Sequence, residues 1–514
     1  MNKPNQFTEV TGKSKTGGFK KLWFNRLQAL KLPMTYIYIL SGIFLIIGLI
    51  LPGINFLFYI GFLLPFYKTY IGEITDQDIF YFVFPYCMVL GIGVWNHIFP
   101  YYTGILIALT LPDLFARLIM KCIRLFESGP VKLFAIPVAI FFFDFTFSNL
   151  PFLKHVHVIP ILASIYNHTF LLATSSLVGS HITLFIIMLA IGSLTAIAAD
   201  RSHTIKKLII LIISGLIILT PHIIKTGYLK GYDNEKPVIV AAVQGRIMSN
   251  QSFGDNFTAF SKFIMDRYSE IINDEKADIY VFPETLSGVY DSSKPLTQDN
   301  LKEVINFAKK RDAMLLCLVI EKNLETNKED TRFMTAVLAD PSGVVGMSQK
   351  RYLVPFSESR RYNRGKDFSV FETKYGKIGI SICYDTNFDT VVKLKKNGAE
   401  LILAPFNDYG FGKVYHNIHR YYPVINAIQC NVPVAQANYD GISQLITADG
   451  RVVKDLGYQK EGVISYGFNI KPSPSFYVSY GIYLEWMLYG FIILILIYGF
   501  IKQKNSSKVY GDEL

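Results

Sequence analysis

The sequence predicts two kinds of structure, an α-helical membrane domain with several spans and a globular α/β domain. Hydrophobic residues make up 51% of the 514 residues, and the mean hydropathy is +0.30, which is too apolar for an ordinary soluble enzyme. The apolar residues concentrate in the first half of the chain and again near its end. Between them, short apolar strands alternate with amphipathic helices, a pattern typical of α/β folds.

Eight apolar segments are each close to the ~20 residues that cross a hydrocarbon core about 30 Å thick. They cover residues 34–51, 54–70, 79–97, 101–119, 132–150, 179–199, 207–225 and 483–501. The second segment is short, so the number of crossings is seven or eight. The chain then divides into a basic tail over 1–33, a membrane domain of about seven helices over 34–227, a globular domain over 228–472, a last transmembrane helix over 473–502 and a tail over 503–514.

The distribution of charge predicts the orientation of these spans. Lys and Arg cluster in the first tail and after the fourth, sixth and eighth spans, whereas the connections after the first, third and fifth spans contain only Lys154. Because cytoplasmic loops are rich in Lys and Arg, we expect both termini inside and the domain 228–472 outside. The formal charge of +11 is therefore assigned to contact with membrane lipids, and nucleic acid is excluded as a partner.

Two features inside the membrane region are unusual. Residues 151–178 are apolar but broken by Pro151 and Pro160, so we expect a segment that lies on the outer membrane surface beneath the globular domain. Asp144 lies within the fifth span, where an ionisable group is costly and often functional. A position near the outer interface, or a hydrogen bond to a neighbouring helix, is the interpretation favoured for Asp144.

The cysteines and histidines predict neither a disulfide framework nor a metal site. The five cysteines are scattered and lack CxxC spacing; they are Cys87, Cys122, Cys317, Cys383 and Cys430. All except Cys383 are interpreted as core or inert residues. His416 and His419 lie three residues apart on a predicted helix, but without a third ligand motif a packed helix face is favoured over a metal. No phosphate-binding loop is present, so no cofactor is predicted.

Three motifs at predicted strand ends contain the candidate chemistry. Glu284 follows the buried strand 277–283, Lys350 precedes a Val-Pro-Phe turn, and Cys383 ends the predicted strand 377–383. A cysteine is nucleophilic only as the thiolate, so a base or a cation must lie beside it. If the three meet, Glu284 is the base that accepts the thiol proton. Lys350 then stabilises the oxyanion on the attacked carbonyl.

The order Glu, Lys, Cys and the residues around each motif resemble the carbon–nitrogen hydrolase (nitrilase) superfamily, whose fold is a four-layer α-β-β-α sandwich. With membrane spans on both sides, the chain resembles the apolipoprotein N-acyltransferase family within it. Further matching motifs are Val243-Gln-Gly245, Asn407-Asp408 and Phe476-Tyr-Val-Ser-Tyr-Gly481. The resemblance implies an enzyme of the bacterial inner membrane whose globular domain faces the periplasm. Its cysteine takes an acyl chain from a phospholipid as a thioester, and the N-terminal amine of a diacylated apolipoprotein receives it.

The resemblance also implies roles for residues near the three motifs. Glu358 matches a second glutamate of the superfamily that orients the lysine. The backbone N–H of Tyr384 is a candidate donor to the oxyanion, and Asp385 and Asn407 are candidates for contacts with the oxyanion or the substrate.

Two departures from the family keep alternatives open. Asp385 stands where the family usually has Glu, as in soluble amidases, and the loop between Lys350 and Cys383 is short and basic rather than long and apolar. Both favour a membrane-tethered amidase or nitrilase that hydrolyses a small amide, although seven spans exceed what a tether needs. A third hypothesis, a transporter or sensor whose outer domain only binds a ligand, requires the three motifs to be coincidental.

Overall fold

Apolar helices make up the first part of the chain. A computed structural model describes residues 33–89, 101–126, 129–150, 154, 160–228, 236–247, 256–292, 301–322 and 332–511. The helices of the first part are α1 (Met34–Ile50), α2 (Leu57–Gly61), α3 (Leu63–Ile71), α4 (Asp76–Met88), α5 (Tyr101–Leu125), α6 (Ala135–Asn149), α7 (Thr169–Leu172), α8 (Ser175–Ala199) and α9 (Thr204–Tyr228). Short 3₁₀ turns over Pro52–Ile54, Gly129–Phe134 and Ile161–Ile165 connect some of them.

Four helical segments among the described residues are long and apolar enough to cross a membrane. They are Gly129–Asn149, Ser175–Ala199, Thr204–Ile224 and Tyr477–Gly499, while Met34–Ile50 and Leu57–Ile71 are apolar but shorter. The predicted span 79–97 is only partly described, since residues 90–100 lie outside the described ranges, as does the basic tail up to residue 32. The number of crossings and the domain boundaries remain predictions.

Two six-stranded sheets form the core of the second domain. The strands are β1 (Val238–Gln244), β2 (Ile279–Asp291), β3 (Met314–Lys322), β4 (Phe333–Asp340), β5 (Gly343–Gln349), β6 (Val370–Thr373), β7 (Gly376–Ile380), β8 (Leu401–Phe406), β9 (Val434–Asn438), β10 (Ser443–Ile446), β11 (Val452–Leu456) and β12 (Gly462–Phe468). Their orders are β12-β1-β2-β3-β4-β5 and β11-β10-β9-β8-β7-β6. The trios β1-β2-β3 and β7-β8-β9 are parallel, so the carboxyl ends within each trio meet at one edge.

The two sheets and the helices that cover them form four layers. In β1, Ala241 and Val243 pack toward α10 (Phe257–Ile272) and α11 (Lys302–Arg311), whereas Val240 and Ala242 face the second sheet. On the other side, α12 (Thr390–Lys396) and α14 (Tyr421–Cys430) cover the second sheet, with α13 (Lys413–His419) before α14. Side chains on a strand alternate between its faces, so each sheet buries both faces. The predicted α-β-β-α fold is confirmed.

Several predicted element boundaries are wrong, each for a local reason. Strand β2 does not end at Pro283 but continues to Asp291, with its pairing to β3 interrupted between Val281 and Leu286, because proline has no N–H for the ladder. The predicted helix that contains His416 and His419 ends at His419, and a second helix, α14, follows it. Pro423 cannot donate a helical hydrogen bond to His419, which explains the break at Arg420. The short edge strands β6 and β11 were not predicted.

Helix α13 joins the α/β domain to the membrane helices. The Asn417 side-chain amide donates a 2.7 Å hydrogen bond to the carbonyl of Leu49 near the end of α1. The guanidinium of Arg420 lies 4.5 Å from the ring centroid of Tyr166, which directly follows the turn Ile161–Ile165. The described part of the predicted surface segment 151–178 therefore contacts both α1 and the α/β domain.

The last helix among the described residues is α15 (Ile482–Gly511), which follows a π-helical turn over Tyr477–Gly481. Glu485 of α15 is buried and accepts hydrogen bonds from the backbone N–H and Nδ1 of His181 and from the Tyr477 hydroxyl. Nε2 of His181 lies 3.7 Å from a carboxylate oxygen of Asp144 in α6. These contacts connect α15 to α6 and α8. They agree with the interpretation that Asp144 interacts with a neighbouring helix.

Candidate active site

Glu284, Lys350 and Glu358 form one buried network. The Lys350 ammonium donates hydrogen bonds of 2.7 Å to Oε1 of Glu284 and 2.7 Å to Oε1 of Glu358. Oε2 of Glu358 accepts a further bond from the backbone N–H of Val354. Lys350 is fully buried and Glu284 is 5% exposed. A buried ammonium shared by two carboxylates is held in one position, as a group that stabilises a developing oxyanion requires.

Cys383 adjoins this network in an unusual backbone conformation. The predicted strand 377–383 ends at Ile380, and Cys383 instead begins a 3₁₀ turn over Cys383–Asn387. Its φ angle is +46°, a left-handed value that a residue with a side chain seldom adopts. The thiol hydrogen-bonds to Glu284. The strained turn thus directs the sulfur toward the carboxylate rather than along the sheet, and such strain concentrates at functional sites.

Burial and charge set the protonation of the three groups. Burial raises the pKa of Glu284 to about 7, although Lys350 acts in the opposite direction. Burial lowers the pKa of Lys350, but Glu284 and Glu358 outweigh this effect and hold its pKa well above the usual value. Burial, assisted by Glu284, raises the pKa of Cys383 well above that of a free thiol. The resting site therefore contains an ammonium and a thiol whose proton must move to Glu284 before the sulfur attacks.

Asp385 bonds to the residues that follow Lys350, while its predicted contact with the oxyanion or the substrate remains a prediction. Its Oδ1 accepts hydrogen bonds from the backbone N–H groups of Arg351 and Tyr352, at 2.9 and 2.6 Å, and its Oδ2 pairs with the Arg351 guanidinium at 3.2 Å. Arg351 is itself buried and bonds to the Ser348 hydroxyl. Asp385 thus positions the residues next to Lys350. Arg351 is not part of an exposed basic loop, whereas Arg360, Arg361, Arg364 and Lys366 are exposed.

The two other predicted contacts lie beside the site. The Asn407 side-chain amide donates to the backbone carbonyl of Glu284 at 3.1 Å, linking the end of β8 to β2 across the two sheets. Tyr384 is buried directly after the nucleophile and packs edge-on against Phe388. The role of its backbone N–H toward an oxyanion remains a prediction, as do the catalytic roles of the other site residues.

Asp408 and His419 lie beside Cys383, a position that their sequence motifs did not predict. Asp408 follows β8 and lies beside the turn of Cys383 because β7 and β8 are parallel neighbours. A ring nitrogen of His419, a carboxylate oxygen of Asp408 and Sγ of Cys383 lie within 4.8 Å of one another. Oδ1 of Asp408 pairs with Nδ1 of His419 at 2.6 Å, and Oδ2 accepts from the Asn438 amide at 2.7 Å. These bonds already engage the carboxylate, so we assign no metal to the group. The position of Asp408 after a strand end was the feature of the sequence that could have indicated a place at the site.

Comparisons with known proteins find relatives of the second domain. Residues 239–470 match the carbon–nitrogen hydrolase family. A protein of Schizosaccharomyces pombe described as a probable nitrilase is 25% identical over 226 residues, which are 40% of this chain and 81% of that protein. The solved structure of Saccharomyces cerevisiae Nit3, from the nitrilase superfamily, is 21% identical with a TM-score of 0.37 and covers 45% of this chain and 90% of its own.

The other relatives include proteins described as apolipoprotein N-acyltransferases. An apolipoprotein N-acyltransferase of Geobacter metallireducens is 25% identical over 274 residues, 49% of this chain and 51% of that protein. The chain therefore spans about half the length of that relative. Proteins of the same description from Thermotoga maritima, Aquifex aeolicus and Haemophilus ducreyi match as well. The resemblance inferred from the motifs is confirmed. The second domain is an enzyme domain. Because four of the described helices are long and apolar enough to cross a membrane, the chain is a membrane protein.

Proposed function

We propose that this protein transfers an acyl chain from a phospholipid, through a thioester on Cys383, to the N-terminal amine of a diacylglyceryl-cysteine apolipoprotein. The observation that carries the proposal is the contact between the site and the membrane helices. Helix α13 contains His419 beside Cys383 and, two residues earlier, Asn417 bonded to the Leu49 carbonyl of α1. A site next to apolar helices suits two substrates that are anchored in a lipid leaflet, and the acyltransferase relatives support the same activity.

In the first half-reaction Cys383 attacks the ester carbonyl of the phospholipid. Its proton passes to Glu284 as the carbon–sulfur bond forms, and Lys350 stabilises the oxyanion, assisted by the backbone N–H of Tyr384. The intermediate collapses with cleavage of the ester carbon–oxygen bond. Glu284 returns the proton to the departing alkoxide, which leaves as a lysophospholipid hydroxyl. Glu358 and Asp385 act by positioning, the first on the ammonium and the second on the chain next to Lys350.

In the second half-reaction the acceptor amine attacks the thioester. The carbon–nitrogen bond forms, the carbon–sulfur bond breaks, and the sulfur regains a proton through Glu284. The orientation predicted from Lys and Arg, with the hydrolase domain in the periplasm and both termini in the cytoplasm, puts the site on the side of the outer leaflet. A phosphatase reporter that is active only in the periplasm should therefore be inactive when fused after residue 511, and an active fusion would contradict this orientation.

Acyl-enzyme formation tests the proposal directly. Purified protein in detergent is mixed with phospholipid that carries a labelled acyl chain, without acceptor, beside a Cys383→Ala control. We expect hydroxylamine-sensitive label on the wild type and none on the variant, with release of lysophospholipid. The absence of both label and lysophospholipid would reject the phospholipid donor.

The alternative activity is hydrolysis of a small amide by a membrane-tethered enzyme. Asp385 and the match to nitrilases favour it. The same preparation distinguishes the two activities. Turnover of small amides without label from phospholipid would select the amidase, whereas transfer of label to a diacylglyceryl-cysteine peptide would select the acyltransferase.

A further inference from the structure

His419 and Asp408 form a buried pair that the triad of Glu284, Lys350 and Cys383 does not use. Both side chains are about 1% exposed. The imidazole lies among aromatic rings, with Phe406 at 4.5 Å and Tyr415 at 5.1 Å between ring centroids. One of its ring nitrogens lies within 4.8 Å of Sγ of Cys383. A substrate atom that reacts at the sulfur therefore comes close to the imidazole.

The hydrogen bonds of the pair set the tautomer of the imidazole. Burial raises the pKa of Asp408, but His419 and His416 outweigh this effect, and the pKa lies below its usual value. The ionised carboxylate accepts a hydrogen bond from Nδ1–H of His419, so the second ring nitrogen, Nε2, has a free lone pair. Nε2 is buried and has no hydrogen-bond partner among the residues that the structure describes. An unpaired buried acceptor of this kind is costly, and beside a nucleophile it is available to a substrate.

A count of protons shows where such an acceptor is needed. An α-amine has an unperturbed pKa of about 7.7–8.0, so at neutral pH the acceptor arrives mainly as an ammonium with three protons on nitrogen. The amide product keeps one of them. The Cys383 sulfur takes back a second through Glu284, and the third has no base within the triad, since Lys350 is already an ammonium. The first half-reaction has no such surplus, because the thiol proton goes to the departing alkoxide.

We propose that His419, held by Asp408, is the catalytic base that removes this extra proton from the acceptor ammonium through Nε2 in the second half-reaction. The inference rests on the proposed acyl transfer and adds a second base, besides Glu284, to the second half-reaction. The nitrogen gives one proton to Nε2 before attack and one to the sulfur through Glu284 as the carbon–sulfur bond breaks. The imidazolium then releases its proton to water.

The surroundings of His419 suit this task. Its titratable neighbours are Asp408 after β8, Cys383 on the turn after β7, Tyr415 on its own helix and Tyr422 on α14. His416 approaches the other oxygen of Asp408 at 3.4 Å, and its Nε2 bonds to the Phe411 carbonyl. His416 is therefore turned to the backbone, whereas His419 lies beside Cys383 and its Nε2 has no partner among the described residues. The neighbouring carboxylate also stabilises the imidazolium that forms.

Separate measurement of the two half-reactions tests the inference. Acyl-enzyme formation from labelled phospholipid is compared with transfer of that label to a diacylglyceryl-cysteine peptide, for the wild type and His419→Gln. We expect acylation to stay within about threefold of the wild type and transfer at pH 7 to fall by about 10²-fold or more, the usual effect of losing a general base. The deficit should shrink as the pH rises through the pKa of the amine, because a neutral amine needs no second base.

Hydroxylamine provides a matched readout, since it is uncharged at pH 7. It should deacylate the wild type and His419→Gln at similar rates. Asp408→Asn should reproduce the selective loss of transfer, because its amide can donate to Nδ1 and favour the other tautomer. This variant also tests the inference if His419→Gln does not fold. His222→Gln, a histidine that stacks on Phe170 in the membrane region, is the control and should behave as the wild type.

Two results would overturn the inference. One is an equal loss of acylation and transfer in His419→Gln, which would assign the histidine a structural role at Cys383. The other is a transfer rate that stays reduced by the same factor at every pH. A wild type that forms no acyl-enzyme is a distinct result, because it would reject the proposed function itself and this inference with it.

Discussion

The ammonium of Lys350 donates a 2.7 Å hydrogen bond to Glu284, and the two residues are 66 positions apart in the chain. Glu284 lies within β2, whereas Lys350 follows β5 at the edge of the same sheet. The same carboxylate hydrogen-bonds to the Cys383 thiol. Glu284 therefore connects the Lys350 ammonium with the Cys383 thiol.

The pH dependence of acylation should follow the ionisation of Glu284. Only the carboxylate accepts the thiol proton, and burial raises its pKa to about 7, so acyl-enzyme formation should decline as the pH falls below about 7. Well below the pKa of Glu284, the rate of acyl-enzyme formation should fall tenfold for each pH unit. Glu284→Gln should lower the rate by about 10²-fold or more and abolish this dependence. Single-turnover release of lysophospholipid measures both, and an unchanged profile in Glu284→Gln would assign the base elsewhere.

Removal of the Lys350 charge should destabilise the domain strongly. Lys350→Met leaves the buried Glu284 and the partly buried Glu358 without a cation, and breaking a buried pair in this way costs about 3–5 kcal/mol. Glu358→Gln retains the pair with Glu284 and should cost less. Lys377→Met removes an exposed pair with Glu372 and is the control, with an expected cost of about 0–1 kcal/mol. Thermal unfolding in detergent compares them, and equal effects at Lys350 and Lys377 would contradict the prediction.

The backbone of Cys383 should prefer glycine to alanine. At φ +46° a residue with a Cβ pays about 1–2 kcal/mol, and glycine avoids this cost at the expense of some chain entropy. Cys383→Gly should therefore be more stable than Cys383→Ala by about 1 kcal/mol, while neither forms an acyl-enzyme. Thermal unfolding of the two inactive variants provides the comparison. A less stable glycine variant would show that the turn is not strained.

Asp385 should affect activity through the position of Lys350. Asp385→Ala removes the acceptor of the Arg351 and Tyr352 N–H groups and the partner of the buried guanidinium, so both stability and acylation should fall. Asp385→Asn keeps one oxygen for the two N–H groups and should retain more of both. Acylation rates and unfolding midpoints of the two variants test this order, which a direct substrate contact would not require.

Glu485 should anchor the last helix within the membrane domain. Glu485→Ala leaves the His181 and Tyr477 donors without their acceptor, and each unsatisfied buried group costs about 1–3 kcal/mol. We expect a clear loss of thermal stability. Met487→Ala changes a side chain that is 69% exposed on the same helix and should have little effect on stability. Similar unfolding midpoints for the two variants would show that the hydrogen bonds of Glu485 do not stabilise the membrane domain.

Local patterns were sufficient for the fold class and for the first group of site residues. Short continuous apolar runs in β1, β3 and β8 predict strands that are buried on both faces. The strand-end motifs of Glu284, Lys350 and Cys383 are likewise short and continuous, so they are readable along the chain. The break between α13 and α14 was equally local, since Pro423 lacks an N–H, but the prediction overlooked it.

Other features depend on contacts between segments that are distant in the sequence. The bonds of Asp385 to Arg351 and Tyr352, and of Asn407 to Glu284, form only when the turns at the sheet edges meet. The pairing of Asp408 with His419 beside Cys383 requires β7 and β8 to be parallel neighbours and α13 to fold back over them. Periodicity describes which face of an element is buried, whereas the partner of each polar side chain is selected by how the sheets and helices pack.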